Sequence, residues 1–503
     1  MTENCSVWTV DESRAHDKRA QEWNIELSWL METAGSRAAY CLIPELSGPG
    51  LVMVGKGHNG GDGLVVARHL ARYLDVSIVM PLGRPSFPRG ENLLQAAVSY
   101  GAKVVDPTIS TGRYHWVIDG VFGTGFHGTV DHQEFHRLWQ EVSKNKIPLY
   151  ALDILSGIDA DSGAYDLESV YAAKTLTFGA AKWGHFTYPG SRYGGQLVVL
   201  DIGLPDMGSA SGYWLNPSWA RRQMSFRDFY THKYRQGTVA VVGGSDSMPG
   251  APVLAGSAAL KAGAGLVELF VPEGILNRIQ APTPLLARGI RSHQDAWTFS
   301  SEDMARLQRA NVIIVGPGLG PHLHSRLLRE MSSLQRPLVV DADALRLLGE
   351  DASLTLPVGS VLTPHAGEMG RLLEKTSQEV DGFRYRAVIE AASRFNVSVI
   401  LKGPFSLTGA REVFVNTTNT PALATAGSGD VLSGIVAALL AHSDPASYGE
   451  QLALATYLHG WAGIWAERHQ GLSVVATDII GAMSKAWNSI EQGESPPFLP
   501  ISR

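Results

Sequence analysis

Short apolar runs alternate with longer stretches of helical periodicity along the whole chain. That is the pattern of α/β units sharing a mostly parallel sheet. In the first half, residues 51–54, 76–80, 116–119, 149–153, 175–178 and 196–200 read as buried strands, and 64–74 reads as a helix. Residues 201–217 are rich in Gly, Pro and Ser and read as a linker. The pattern then restarts with strands at 238–242, 312–315, 338–340 and 397–401 and a small-residue helix over 251–262. The expectation is an α/β protein of two domains, residues 1–215 and 220–503.

Composition narrows the possibilities without deciding among them. At 503 residues, 45% hydrophobic and 18% charged, each half can bury a core. The net charge of −6 and the lack of any basic block leave no electrostatic footprint for nucleic acid. Cys5 and Cys41 are the only cysteines, which argues against a disulfide framework or a thiolate zinc site and fits a reducing compartment. No run approaches the roughly 20 apolar residues of a membrane span, so no membrane partner and a cytoplasmic location are expected.

Two glycine-rich loops carry the candidate chemistry. Ala424-Thr425-Ala426-Gly427-Ser428-Gly429-Asp430 runs straight into an apolar helical pattern. Small residues there leave backbone N–H groups free to converge on an anion, with the Asp430 carboxylate beside it as a base. Upstream, Gly55-Lys56-Gly57-His58-Asn59-Gly60-Gly61-Asp62-Gly63 follows a strand and opens a helix, which qualifies it for phosphate or dinucleotide contact. A hydride-transferring dinucleotide fold expects an acidic residue closing the next strand, and here that strand ends Val79-Met80-Pro81. Three polar clusters fall at strand ends: Asn59 with Asp62, Asp119 with the Gly123 loop, and Asp153 with Ser156 and Asp159. Asn59, Asp119 and Ser156 offer hard oxygen donors suited to an alkali or alkaline-earth cation, leaving Asp153 to handle protons; the same residues could instead cap helices and turns.

The first half resembles the NAD(P)H-hydrate epimerase domain. The resemblance rests on Asn59-Gly60-Gly61-Asp62-Gly63, on Val117-Ile118-Asp119 followed by Gly123-Thr124-Gly125-Phe126, on Asp153-Ile154-Leu155-Ser156-Gly157-Ile158-Asp159, and on the upstream Leu30-Met31-Glu32-Thr33-Ala34-Gly35. It implies a Rossmann-like three-layer sandwich that interconverts the R and S hydrates of NADH and NADPH. It further implies potassium on Asn59, Asp119 and Ser156, and Asp153 as acid/base. Substrate would lie on His58, Asn59, Gly60, Gly61 and Asp62, and on Gly123, Thr124, Gly125, Phe126, His127, Gly128 and Thr129. The sequence departs from the family in having His58 in place of a second Asn and Leu155 in place of a Pro, which removes a fixed φ from the loop carrying Ser156.

The second half resembles the ribokinase-like fold and, within it, the ADP-dependent NAD(P)H-hydrate dehydratases. Its matching pieces run in order: Val242-Gly243-Gly244-Ser245, Gly250-Ala251-Pro252, Gly316-Pro317-Gly318-Leu319-Gly320, Val340-Asp341-Ala342-Asp343, Thr363-Pro364-His365-Ala366-Gly367-Glu368, Lys402-Gly403-Pro404-Phe405-Ser406 and Gly429-Asp430. The resemblance places ADP on Lys402, Gly403, Pro404, Phe405, Ser406 and Gly429, and the hydrated nucleotide on Ala255, Gly318, His365 and Asp430. By their surroundings alone, His365 could equally cap a helix and Lys402 could be an ordinary solvated lysine. Mg2+ is expected on general grounds for phosphoryl transfer, with no motif fixing its ligands. Homo-oligomerisation is expected. Two rival readings make distinct forecasts. A vitamin-type small-molecule kinase would prefer ATP and ignore hydrated nicotinamide nucleotides. A non-enzymatic RNA-associated scaffold would show basic clusters and degraded site residues, and neither is visible.

Overall fold

The computed structural model describes residues 5–167, 170–205, 207–208, 210–224, 230–279, 285–293, 296–320, 325–351 and 353–497. The chain divides into two compact units, one ending at Tyr213 and the other spanning Trp214–Pro497.

The first unit is built on seven parallel strands in the spatial order Lys103–Val105, Val76–Val79, Gly50–Val54, Trp116–Gly120, Leu149–Leu152, Ala172–Phe178, Gln196–Leu200. Side chains of a strand alternate between faces, and here both faces are covered. Val52, Val54, Ile118 and Leu152 pack in one core with the helices Leu27–Leu42, His58–Leu70 and Gly90–Ser99. Leu51, Met53, Val117, Leu149 and Ala151 pack in the other with the helix Gln133–Lys144. Strand order reverses between Gly50–Val54 and Trp116–Gly120, which opens a crevice at their carboxyl ends.

The helix expected over residues 64–74 begins six residues earlier and ends at Leu70. Gly60 in its first turn, and Gly55 before it, are glycines because nothing larger fits. A Cβ on Gly60 would lie 2.0 Å from the Gly55 carbonyl oxygen, and one on Gly55 would lie 1.9 Å from that of Val121. The segment read as a linker carries the strand Gly212–Trp214, whose Gly212 and Tyr213 pair antiparallel with Val7 and Ser6, and it ends at Asn216, whose side chain caps the helix Pro217–Gln223.

In the second unit, the strands Leu286–His293, Leu266–Pro272, Thr238–Val242, Val312–Val315, Leu338–Val340, Val361–Leu362 and Ser398–Leu401 lie side by side and parallel. Beyond them the chain reverses through Leu407–Gly409 and Val413–Val415 at one edge, and Ala296–Thr298 pairs antiparallel at the other. Helices Ala251–Ala262, Ser428–Ala441, Tyr448–Gln470 and Ala476–Gln492 contribute to one large core with Val239, Val241, Leu269, Ile314, Val339 and Ile400. The helix Ser428–Ala441 is buried along nearly its whole length, so its N-terminus is delivered to a fixed place. Both units are α/β. Among the described residues, no helix is long and apolar enough to cross a membrane.

Candidate active sites

The crevice of the first unit holds a cavity of about 900 Å³. His58, Asn59, Asp62, Gly123, Thr124, Gly125, Phe126, His127, Thr129 and Asp153 line it. Gly60 and Gly61 sit inside the helix instead, against Gly55 and Met31, and Gly128 holds a positive φ of 85° in the loop beyond.

Asp153 follows the strand Leu149–Leu152 in the left-handed region (φ 62°), a conformation that a non-glycine residue keeps only when its surroundings enforce it. The enforcing contacts are visible. Its Oδ1 accepts hydrogen bonds from Lys182 Nζ (2.5 Å) and Thr177 Oγ1 (3.0 Å), and its carbonyl bonds His185 Nε2 (3.0 Å). The Lys182 backbone N–H donates to His185 Nδ1 at 3.0 Å, so Nδ1 is an acceptor and Nε2 the protonated nitrogen. Burial raises the Asp153 carboxyl, but the Lys182 ammonium overrides it and the net position is below the usual range. Burial, with Lys182 adding to it, pushes the His185 imidazole down to about 4, so it is neutral. Sequence reasoning missed both Lys182 and His185; a lysine inside the small apolar run Ala180-Ala181-Lys182-Trp183 is the signal that could have found the first.

The three proposed cation donors lie around the Phe122 backbone. Asn59 Nδ2 donates to the carbonyls of Phe122 (2.8 Å) and Leu152 (3.2 Å), which leaves its Oδ1 buried with no partner among the described residues. Ser156 Oγ accepts from the Phe122 N–H (2.9 Å) and donates to Asp119 Oδ1 (2.7 Å), while the Ser156 N–H donates to Asp119 Oδ2 (2.8 Å). Asp119 is fully buried. Burial pushes its carboxyl up to about 6 in spite of these bonds. Asp159 closes a turn by accepting from the N–H groups of Asp161 and Ser162, and it holds His127 Nδ1 at 2.6 Å.

In the second unit, two strand ends and a helix start meet. The helix Ser428–Ala441 starts from Gly427, whose φ of 84° turns the chain into it. Asp430 lies in its first turn. Lys402 follows the strand Ser398–Leu401, and its Nζ donates to Asp341 Oδ1 (2.8 Å), with Glu368 Oε2 at 3.9 Å. Asp341 follows the strand Leu338–Val340, and its Oδ2 accepts from Ser433 Oγ (2.6 Å). Burial disfavours charge on both partners, and the pairing reverses it. Asp341 is held below the usual carboxyl range by Lys402, and Lys402 above the usual ammonium range by Asp341 and Glu368. Asp430 is the exception. Burial pushes it up to about 7, Asp341 and Asp343 push the same way, and Lys402 only partly opposes them.

His365 is a helix cap after all. Its Nδ1 accepts from the N–H groups of Gly367 (3.0 Å) and Glu368 (3.3 Å), its Nε2 lies 3.4 Å from Glu368 Oε1, and the ring stays more than half exposed. The loop Lys402-Gly403-Pro404-Phe405-Ser406 is held from below by Arg384, whose Nη2 donates to the carbonyls of Leu401 and Lys402 at 3.2 and 3.3 Å. Gly318 sits at φ 65° after the strand Val312–Val315. Ala255 is fully buried in the helix–helix core, where a Cβ on Gly434 would reach 2.1 Å from its carbonyl oxygen. Asp341, Glu368 and Arg384 receive no role from the sequence; the first two lie inside the quoted motifs, and Arg384 gives no signal.

A parallel sheet whose strand ends and helix N-termini surround a carboxylate and an ammonium defines a nucleotide-processing α/β enzyme, here twice over. The comparisons with known proteins agree and go further. A family model described as YjeF-related protein N-terminus matches residues 28–184, and one described as NAD(P)H-hydrate dehydratase matches residues 239–485. The bifunctional NAD(P)H-hydrate repair enzyme Nnr of Moorella thermoacetica is 34% identical over 94% of this chain and 94% of its own. That of Thermofilum pendens is 30% identical over 97% of both. The crystal structure of a Bacillus subtilis ADP/ATP-dependent NAD(P)H-hydrate dehydratase is 25% identical, covers 55% of this chain and 98% of its own, and has a TM-score of 0.47. The chain belongs to the bifunctional NAD(P)H-hydrate repair enzymes, with an α/β epimerase half followed by an α/β dehydratase half.

Proposed function

We propose that the chain restores hydrated NADH and NADPH in two stages, exchange of the R and S epimers in the first unit and ADP-dependent dehydration of the S epimer in the second. The observation that carries the second stage is the Asp430 carboxyl, at the helix N-terminus and beside the Lys402–Asp341 pair, held near neutral pKa. Hydroxide is a poor leaving group, so the hydroxyl must first be converted. Asp430 takes its proton as the oxygen attacks the outer phosphorus of ADP, and AMP leaves. The phosphate ester then departs as inorganic phosphate while the ring loses a proton, which restores the conjugated dihydropyridine. Lys402 and the glycine-lined helix N-terminus stabilise the charge on the group in transfer. Mg2+ would arrive on the phosphates of the nucleotide.

ADP is placed on the Lys402–Ser406 loop and Gly429, and the hydrate on Gly318, His365 and Asp430. A Cβ on Gly429 would meet only Lys402 Nζ at 3.3 Å and Asp341 Oδ2 at 3.9 Å. The Lys402 ammonium would have to give by a few tenths of an ångström. Gly429→Ala is expected to lower the melting temperature slightly and to raise KM for ADP roughly tenfold or more, because the methyl sits beside the ammonium at the helix N-terminus.

In the first unit, Asp153 exchanges the proton of the hydrate, with substrate along His58–Asp62 and Gly123–Thr129. The orphaned Asn59 Oδ1 and the Asp119 carboxyl fit a hard monovalent cation, so Asn59, Asp119 and Ser156 would hold potassium, which would supply fixed positive charge beside the substrate. Replacing potassium by a bulky organic cation is expected to lower the thermal stability of the first unit; a potassium concentration about 100 times its Kd contributes about 2.7 kcal/mol. Equal melting curves in the two salts would remove the cation from the assignment.

The test of the whole reading mixes the protein with acid-generated NADH hydrates and follows absorbance near 340 nm with ADP or ATP. Full recovery of both epimers with ADP is expected. Recovery of half would mean an inactive first unit, and recovery with neither nucleotide would refute the dehydratase role. Size-exclusion chromatography with light scattering tests the expected homo-oligomer.

A further inference from the structure

The epimerase cavity contains more acid than one carboxylate needs. Asp17, from the helix Val10–Glu22, and Asp62, from the first turns of the helix His58–Leu70, line it together with Asp153 and Lys182. An ammonium has three hydrogens, and those of Lys182 are fully committed, to Asp153 Oδ1, to Thr177 Oγ1 (2.8 Å) and to the Phe178 carbonyl (3.0 Å). Lys182 therefore neutralises Asp153 and has no hydrogen bond left for Asp62. Among the described residues, none donates a hydrogen bond to the Asp62 carboxyl. An ionised carboxylate with no hydrogen-bond donor beside two others is costly, which favours its protonated form.

We propose that Asp62 is a second catalytic residue of the epimerase site, a carboxylic acid working opposite the Asp153 carboxylate. The assignment rests on the epimerase reading of this cavity. The charges facing Asp62 are the carboxylates of Asp153 and Asp17 and the Lys182 ammonium, and His58 and His16 lie near Asp17. Burial first, then Asp153 and Asp17, hold Asp62 well above the usual carboxyl range, whereas Asp153 lies below it. Two carboxyls pushed in opposite directions in one cavity divide into an acid and a base.

The step balances without a co-reactant. Asp153 accepts the proton of the hydroxyl on the hydrated ring carbon, and the carbon–oxygen bond becomes a carbonyl. The bond from that carbon to the ring nitrogen breaks, its electron pair goes to nitrogen, and Asp62 delivers a proton there. Rotation of the open-chain aldehyde presents its other face. The nitrogen re-adds, returning its proton to Asp62, and the new alkoxide recovers a proton from Asp153. The product is the opposite epimer, and both carboxyls are back in their starting states.

The measurement is exchange between the two hydrates, separated chromatographically, with full-length protein and no ADP. Asp62→Asn is expected to slow exchange on the order of 100-fold or more, with Asp62→Glu recovering part of the loss and dehydration of the S epimer with ADP unchanged in both. The wild-type rate should fall at alkaline pH as Asp62 ionises. In Asp17→Asn that fall should move to lower pH, because one repelling carboxylate is gone. Asp62→Asn within threefold of wild type, or an alkaline fall unmoved by Asp17→Asn, would overturn the proposal; the second readout decides alone if Asp62→Asn does not fold. Absence of exchange in the wild type would instead refute the epimerase reading itself.

Discussion

Asp430→Asn is expected to abolish dehydration while making the protein more stable above neutral pH. The asparagine cannot accept the hydroxyl proton, and loss of a general base costs on the order of 10²–10⁴ in rate. Exchange of epimers should continue unchanged, since Asp430 belongs to the other unit. In the parent, the base must be ionised to act, so dehydration should fall as pH drops through about 7. The stability effect has the opposite sign. A carboxyl whose folded pKa is raised binds its proton more tightly when folded, so the folded state loses stability as pH climbs from the unfolded pKa to about 7 and carries the full cost above that. Each tenfold change in proton affinity corresponds to about 1.4 kcal/mol, so the cost amounts to a few kcal/mol at most after relaxation. Thermal melts at pH 6 and pH 8.5 check this: the gain from Asp430→Asn should be larger at pH 8.5. Joint loss of both activities would contradict the assignment of separate sites.

The second large effect belongs to Lys402→Met. The side chain of Asp341 is only 2% exposed and that of Lys402 20%, so removing the ammonium strands a buried carboxylate. Breaking such a pair typically costs about 3–5 kcal/mol, and the partial exposure of Lys402 argues for the lower end. Dehydration should be lost with it. In the parent, the depressed Asp341 gives stability that is present above its unfolded pKa and lost as pH falls through the folded one. The raised Lys402 gives stability that is present below its unfolded pKa and lost as pH rises through the folded one, so the pair is intact across neutral pH. In the variant, Asp341 can escape by protonating, so the destabilisation should be greatest near pH 8 and shrink toward pH 5. Chemical denaturation at the two pH values measures this. A pH-independent loss would mean that lost packing, not a stranded charge, is responsible.

Much of each site is legible in the chain because its chemistry is local. The loop Gly55–Gly63 has to be glycine-rich, since any side chain at Gly55 or Gly60 would strike backbone. Gly427 and Asp430 are three residues apart and share one helix start, so their relation is fixed by the first turn. The partners that tune these groups are out of reach of such reasoning. Lys182 is 29 residues from Asp153, and Lys402 is 61 from Asp341. The apolar run around Lys182 marks it as a lysine out of place, and the phosphate role marks Lys402, but neither signal names the carboxylate each one pairs with. Where expectation and structure part, a packing fact decides it: Ala255 turns inward against Gly434, Gly60 lets the helix approach the Gly55 backbone, and Gly61 makes room for Met31 and Phe87.

Periodicity, turn chemistry and short-range spacing are properties of neighbouring residues. They suffice for the two α/β units, the two glycine-rich helix starts, and the carboxylates Asp153 and Asp430 placed beside them. Which of the carboxylates carry charge is settled only on folding. Asp153 is held ionised by Lys182, Asp430 is left near neutrality, and Asp62 is left without a donor. Protonation depends on burial and on charges brought close by strand order, and neither quantity exists in the extended chain.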